Sequence, residues 1–183
     1  MSQPQIEVLD LPEIREDYRP DWDSWFMTLA FVVSQRSLDP STKHGTITVT
    51  DDRTILSVGY NGPVRGCDDS EIPLTRPLKY DFMEHSESNA IINAARSGVS
   101  LKCSTFYITG KPCHECLRKM INVGAKRIIY GPIKSVCNDS RTEEICKIIL
   151  KDQTIELVEL KTIDNIGQLL DRTKDYFILK TQK

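Results

Sequence analysis

Apolar and polar positions divide the chain into short segments with two different periods. From Asp21 onward, Trp22, Trp25, Phe26, Leu29, Val32 and Val33 recur at helical spacing; this predicts a helix through Gln35 that Asp39-Pro40 ends. Residues 46–50 and 54–60 read as two strands joined by the turn residues Asp51-Asp52-Arg53. Helical spacing returns over 85–97 and closes at Gly98. Beyond it the chain alternates: strand 105–109, helix 112–123, strand 127–130, helix 140–150, strand 154–160. Pro112 is expected in the first turn of its helix, with Gly124 just past the end.

Such alternation predicts a largely parallel sheet with crossover helices, and the early hairpin makes the sheet mixed. The expected fold is α/β, a three-layer α/β/α sandwich around five strands. Residues 1–20 carry three prolines and mixed charge, and read as a loose lead-in; 21–160 form the domain, and 161–183 a helix and tail. Residues 61–81, rich in Gly, Pro and Asp, are too long for a plain connector and are a candidate functional loop.

Composition narrows the field. The 183 residues include 39% hydrophobic and 27% charged positions, ordinary for one globular domain. A net charge of −2 argues against a broad basic surface for nucleic acid, although a few local lysines are enough for one phosphate. No apolar run reaches membrane-span length, and the acidic N-terminus lacks a secretory layout, so a cytoplasmic address without membrane partners is expected. In that reducing setting, six cysteines suggest metal ligands or buried thiols rather than disulfides.

The chemistry lies in His85-Ser86-Glu87, Pro112-Cys113 and Cys116, which together spell H-x-E … P-C-x-x-C. Cys113 and Cys116, three apart at a helix start, project from one face, where the positive helix end favours thiolates. His85 opens the other helix and supplies a nitrogen. Three protein ligands leave the fourth tetrahedral position open, the mark of catalytic rather than structural zinc. Zinc with an open position lowers the pKa of water from about 15.7 to about 7. Glu87, two residues from His85, is placed to move protons without ligating. His114, Glu115 and His44 are not needed for the metal. Taken alone, the C-x-x-C would equally suit a redox pair or half of a structural zinc site.

The H-x-E … P-C-x-x-C string resembles the signature of zinc nucleobase deaminases. Across residues 22–150 the chain resembles the deoxycytidylate deaminases of the cytidine deaminase superfamily. The resemblance rests on Trp25-Phe26-Met27, Ser34-Gln35-Arg36-Ser37, Asp39-Pro40, Gly59-Tyr60-Asn61-Gly62 and Gly66-Cys67-Asp68-Asp69, besides the zinc motif. It implies hydrolysis of dCMP to dUMP and ammonia, supplying dUMP for dTTP synthesis. Water would attack C4 while Glu87 protonates N3 and then the leaving ammonia. It also implies that Asn61 meets the deoxyribose, that the backbone around Ser86 meets the base, and that Lys79 meets the 5′-phosphate. Lys43 and Lys134 are further positions for the phosphate, with a solvated surface charge as the alternative for each lysine.

Family members are typically hexamers, activated by dCTP and inhibited by dTTP. The resemblance places that effector site at Asn61, Gly62, Arg65, Gly66, Asp68 and Asp69, with Mg²⁺ on Asp68 or Asp69. The chain departs from the family pattern at Ser86, at Glu84 and at His44-Gly45-Thr46. Cys67, Cys103, Cys137 and Cys146 are unassigned and expected to be buried, with a second zinc through Cys67 as an alternative. The rivals are a deaminase of another cytosine nucleoside or nucleotide, and a non-catalytic zinc module with the same fold. Both zinc-bearing helices should lie side by side on one sheet face with their N-termini together.

Overall fold

The computed structural model describes residues 19–134, 139–163 and 167. The lead-in before residue 19, Cys137, and all of the expected C-terminal helix and tail except 161–163 and 167 lie outside the described residues.

Helix α1 spans Trp22–Ser34, and its N-cap is Asp21, whose carboxylate accepts from the Ser24 amide at 2.9 Å. A cap of this kind contributes about 1 kcal/mol. Strands β1 (Gly45–Val49) and β2 (Ile55–Tyr60) form an antiparallel hairpin, with Thr46 opposite Gly59. Then come β3 (Gly62–Pro63) and β4 (Met83–Glu84), a short antiparallel ribbon, with a 3₁₀ turn at Leu78–Asp81 between them. Helix α2 (Ser86–Arg96), β5 (Thr105–Gly110), α3 (His114–Asn122), β6 (Arg127–Ile133), α4 (Ser140–Leu150) and β7 (Glu156–Glu159) complete the described order. The five-stranded sheet runs β2-β1-β5-β6-β7, antiparallel as far as β5 and parallel from β5 onward.

The two-residue period of the strands feeds two separate cores. Phe106, Ile108 and Ile128 face Leu117, Met120, Ala94 and Cys146 on one side. Tyr107 and Ile129, the alternating neighbours, face Phe26, Met27 and Ala30 of α1 on the other. The three-layer α/β/α sandwich with its mixed sheet is therefore present. Two glycines permit the close approach of helix to strand. A Cβ at Gly45 would lie 2.0 Å from the Ala30 carbonyl oxygen, and one at Gly59 would lie 2.2 Å from that of Ser86. Asp23 ties α1 to the sheet by accepting from Tyr107 Oη at 2.7 Å and from both terminal nitrogens of Arg127 at 3.0 and 3.1 Å.

Most predicted boundaries shift by one to three residues, as helix and strand ends do. The 61–81 stretch contains one strand of the ribbon, paired to Met83 and Glu84, and a 3₁₀ turn. Two expectations need correction. Pro112 precedes the N-cap of α3 instead of lying in its first turn, because Cys113 itself caps the helix. Cys67 and Cys103 are exposed, both in turn-rich segments, and only Cys146 of the unassigned thiols described is buried. No helix among the described residues is long and apolar enough to cross a membrane.

Candidate metal centre and active site

His85 is the N-cap of α2 and Cys113 the N-cap of α3, both in extended backbone conformation. Cys116 follows on the first turn of α3, and the two helices lie in contact on one face of the sheet. The open ends of the two helices thereby meet. His85 Nδ1 lies 3.6 Å from Cys113 Sγ and 3.4 Å from Cys116 Sγ. Among the described residues this is the only group of three or more His, Cys, Asp or Glu whose ligand atoms all lie within 4.8 Å of one another. Zinc at about 2.3 Å from sulfur and 2.0 Å from nitrogen in tetrahedral geometry places those atoms about 3.6 Å apart. The donor set and its spacing fit zinc. Exposed Cys67 belongs to no such group, so a second zinc through it finds no support among the described residues.

The two thiols share a hydrogen bond and divide their protons unequally. That bond with Cys116, then His85, outweighs burial and pulls the Cys113 thiol down to about 3. The same bond, together with burial and the charge of Glu87, pushes Cys116 up. The positive end of the helix favours a thiolate at the start of α3.

Glu87, on the first turn of α2, is 5% exposed and lines the same cavity. Its Oε2 accepts from Ser86 Oγ at 2.9 Å, and Ser86 Oγ in turn accepts from Thr46 Oγ1 at 2.9 Å. The cavity holds about 350 Å³, within the range that takes a small ligand. His44 forms part of its wall, with Nδ1 3.2 Å from Thr109 Oγ1. Burial lowers the pKa of His44, against the pull of Glu87, and so keeps the ring neutral.

The residues expected to meet substrate separate into two groups. Asn61, Ser86 and Lys79 line the cavity; Lys43 and Lys134 do not. Asn61 Oδ1 accepts from the His44 amide at 2.7 Å and its Nδ2 donates to the Thr42 carbonyl at 3.0 Å, leaving one N–H of the amide. Lys79 is buried, not a solvated charge: its ammonium donates to both oxygens of Asp39, at 2.9 and 2.6 Å, and to Ser41 Oγ. Lys43 donates to the Ser37 carbonyl. Of the expected effector residues, Arg65 donates to Asn93 Oδ1 at 3.1 Å, Asp68 accepts from the amide and hydroxyl of Ser70, and Asp69 is exposed.

No motif in the sequence marks Arg76, Tyr80, Lys111, Asp139 and Thr142, all of which line the cavity, as does His114. One signal was available for two of these. Lys111 follows the C-terminal end of a parallel strand, and Asp139 caps the helix after the next one, which is where sites in such sheets collect. Arg76 and Tyr80 lie in the loop already singled out, but nothing in their spacing distinguishes them from its other residues.

Comparison with known proteins agrees with this geometry. Residues 20–132, more than half of the chain, match the cytidine and deoxycytidylate deaminase zinc-binding region. The chain is 34% identical to the deoxycytidylate deaminase of Mus musculus over 143 residues, covering 75% of this chain and 78% of that protein. Against the deoxycytidylate deaminase of Homo sapiens it is 34% identical over 134 residues, covering 70% and 74%. Among solved structures, the dCMP deaminase from the cyanophage S-TIM5 in complex with dCMP and dUMP superposes with a TM-score of 0.61 at 23% identity, covering 81% of this chain and all of that one. The overlap in fold, together with the span of the matching region across His85, Glu87, Cys113 and Cys116, means that the chain belongs to the cytidine and deoxycytidylate deaminase family of zinc-binding enzymes.

Proposed function

We propose that this chain hydrolyses dCMP to dUMP and ammonia, supplying dUMP for dTTP synthesis. The observation that carries the reading is a buried carboxylate, Glu87, in the same nucleotide-sized cavity as the three-donor cluster. His85, Cys113 and Cys116 would hold zinc, which when bound supplies Lewis-acid activation of the attacking water. Glu87 is the proton carrier: it takes a proton from the attacking water and delivers it to N3 of cytosine, then takes the proton left on the oxygen now bonded to C4 and delivers it to the departing amine as the C4–N bond breaks. Asn61 lines the cavity with one N–H unspent and would meet the sugar, and the α2 start around Ser86 would meet the base.

The 5′-phosphate needs a cation at the cavity wall. Lys79 lines the cavity but has all three donors engaged, which makes it a brace for the wall through Asp39. Arg76 is exposed, lines the cavity and has no hydrogen-bond or ion-pair partner among the described residues, so it is the better-placed cation; Lys111 also lines the cavity but is paired with Glu143 at 3.3 Å. Relatives named deoxycytidylate deaminase support the monophosphate over the free nucleoside.

Regulation by dCTP and dTTP at Asn61, Gly62, Arg65, Gly66, Asp68 and Asp69 belongs to the same reading, as does a hexameric assembly. Resemblance supports both, and it alone supports magnesium on Asp68 or Asp69 and a cytoplasmic address. A spectrophotometric assay with dCMP, cytidine, dCTP and guanine side by side tests the substrate, and repeating it with dCTP and dTTP added tests the regulation. Turnover of dCMP is expected; turnover of cytidine without dCMP overturns the assignment.

A further inference from the structure

We propose that Thr46 and Ser86 form a two-hydroxyl relay that holds the Glu87 carboxylate in its working orientation, making both of them positioning residues. The inference rests on the assignment of Glu87 as proton carrier. Ser86 Oγ stands 2.9 Å from Glu87 Oε2, and Thr46 Oγ1 stands 2.9 Å from Ser86 Oγ. Both Thr46 and Ser86 are 0% exposed, so bulk water cannot replace either hydroxyl. The direction of the chain follows from its end. An ionised carboxylate only accepts, so Ser86 gives its single proton to Glu87, and Thr46 must be the donor to Ser86.

Each link is anchored in rigid structure. Thr46 lies on β1, which pairs with a strand on either side, opposite Gly59 of β2 and Ile108 of β5. Ser86 is the first residue of α2, and its carbonyl fits against β2 only because residue 59 lacks a Cβ. The relay thus runs from the middle of the sheet, through a helix start, to one carboxylate oxygen. With Oε2 tethered, Oε1 is the oxygen left to exchange protons, in one orientation. Ser86 and Glu87 line the cavity and Thr46 does not, so Thr46 acts only through Ser86.

That order predicts a specific pattern in Ser86→Ala, Thr46→Val, the double variant and Thr46→Ser. Ser86→Ala lowers kcat about 10- to 100-fold, the usual cost of a misplaced reacting group, with KM for dCMP within about twofold and zinc content unchanged. Thr46→Val gives a smaller fall in kcat, and the double variant is no worse than Ser86→Ala, because the two act in series. Thr46→Ser, which keeps the hydroxyl, recovers the loss. A structure of Ser86→Ala shows the Glu87 carboxylate in more than one rotamer, where the parent shows one. An unchanged kcat in zinc-loaded Ser86→Ala, a multiplicative loss in the double variant, or a single parental Glu87 rotamer without the serine overturns the relay. If the parent protein fails on dCMP, the substrate assignment falls and the rotamer comparison still decides the relay. Should Ser86→Ala not fold, the contrast between Thr46→Val and Thr46→Ser decides it.

Discussion

The Lys79 ammonium lies 2.6 Å from Asp39 Oδ2, with side-chain exposures of 3% and 7%, and this ion pair forms part of the wall of the cavity that Glu87 lines. Burial on its own would raise the Asp39 pKa, but the bonds from Lys79, Ser41 and the backbone amides of 41 and 42 prevail and hold it at about 2. Removing one partner strands the other charge, which costs about 3 to 5 kcal/mol. Lys79→Ala and Asp39→Asn should each lose about that much unfolding free energy at pH 7, measured by urea titration. The pH dependence has a definite sign. A depressed carboxylate pKa contributes its full stability above the ordinary value of 3.8 and loses it as pH falls toward 2. The gap between the parent and Asp39→Asn therefore narrows over that window, and a gap that stays constant there would rule out the charged pair.

Because Lys79 is so engaged, the phosphate contact is expected at Arg76. Arg76→Ala should raise KM for dCMP about 10- to 100-fold, the worth of one charged hydrogen bond. Weak turnover of cytidine, which has no phosphate, should be unaffected. Equal losses on both substrates would remove Arg76 from the phosphate site.

Glu87→Gln keeps the shape and loses the proton. Turnover should fall about 10²- to 10⁴-fold while zinc content and melting temperature stay at parental values. A parental rate in the zinc-loaded variant would favour the non-catalytic zinc module.

Zinc is expected at one ion per chain, with His85→Ala, Cys113→Ser or Cys116→Ser each reducing it sharply in elemental analysis. Because the Cys113–Cys116 pair retains a proton, metal uptake by chelator-stripped protein releases protons and weakens as pH falls. Uptake with no pH dependence would remove the thiols from the site.

At Gly59 the outcome is steric. A Cβ there would lie 2.2 Å from the Ser86 carbonyl oxygen and 2.4 Å from the Ala90 amide, both of them helix backbone. Gly59→Ala should push α2 off β2, lowering stability by about 1 to 3 kcal/mol and kcat with it, as read by thermal melts and turnover. A stable, fully active variant would show that the α2 start need not sit where it does.

The sequence by itself determined the elements, because hydrophobic period and turn chemistry are local: 3.6 through Trp22–Val33, 2 through Phe106–Ile108, breaks at Asp39-Pro40 and Gly98. It also determined the chemistry, since Cys113 and Cys116 lie within one helical turn and Glu87 within one turn of His85. Only the tertiary structure decided how those pieces address one another. Lys79 reads as a free cation until folding places Asp39 beside it, forty residues away. Thr46 reads as an ordinary strand residue until the sheet carries it under Ser86. Arg76 stands out among the cavity cations only once folding has paired Lys79 with Asp39 and Lys111 with Glu143. Helix and strand periods arise between near neighbours, whereas burial and pairing depend on which distant segments share a wall, and no local pattern encodes that.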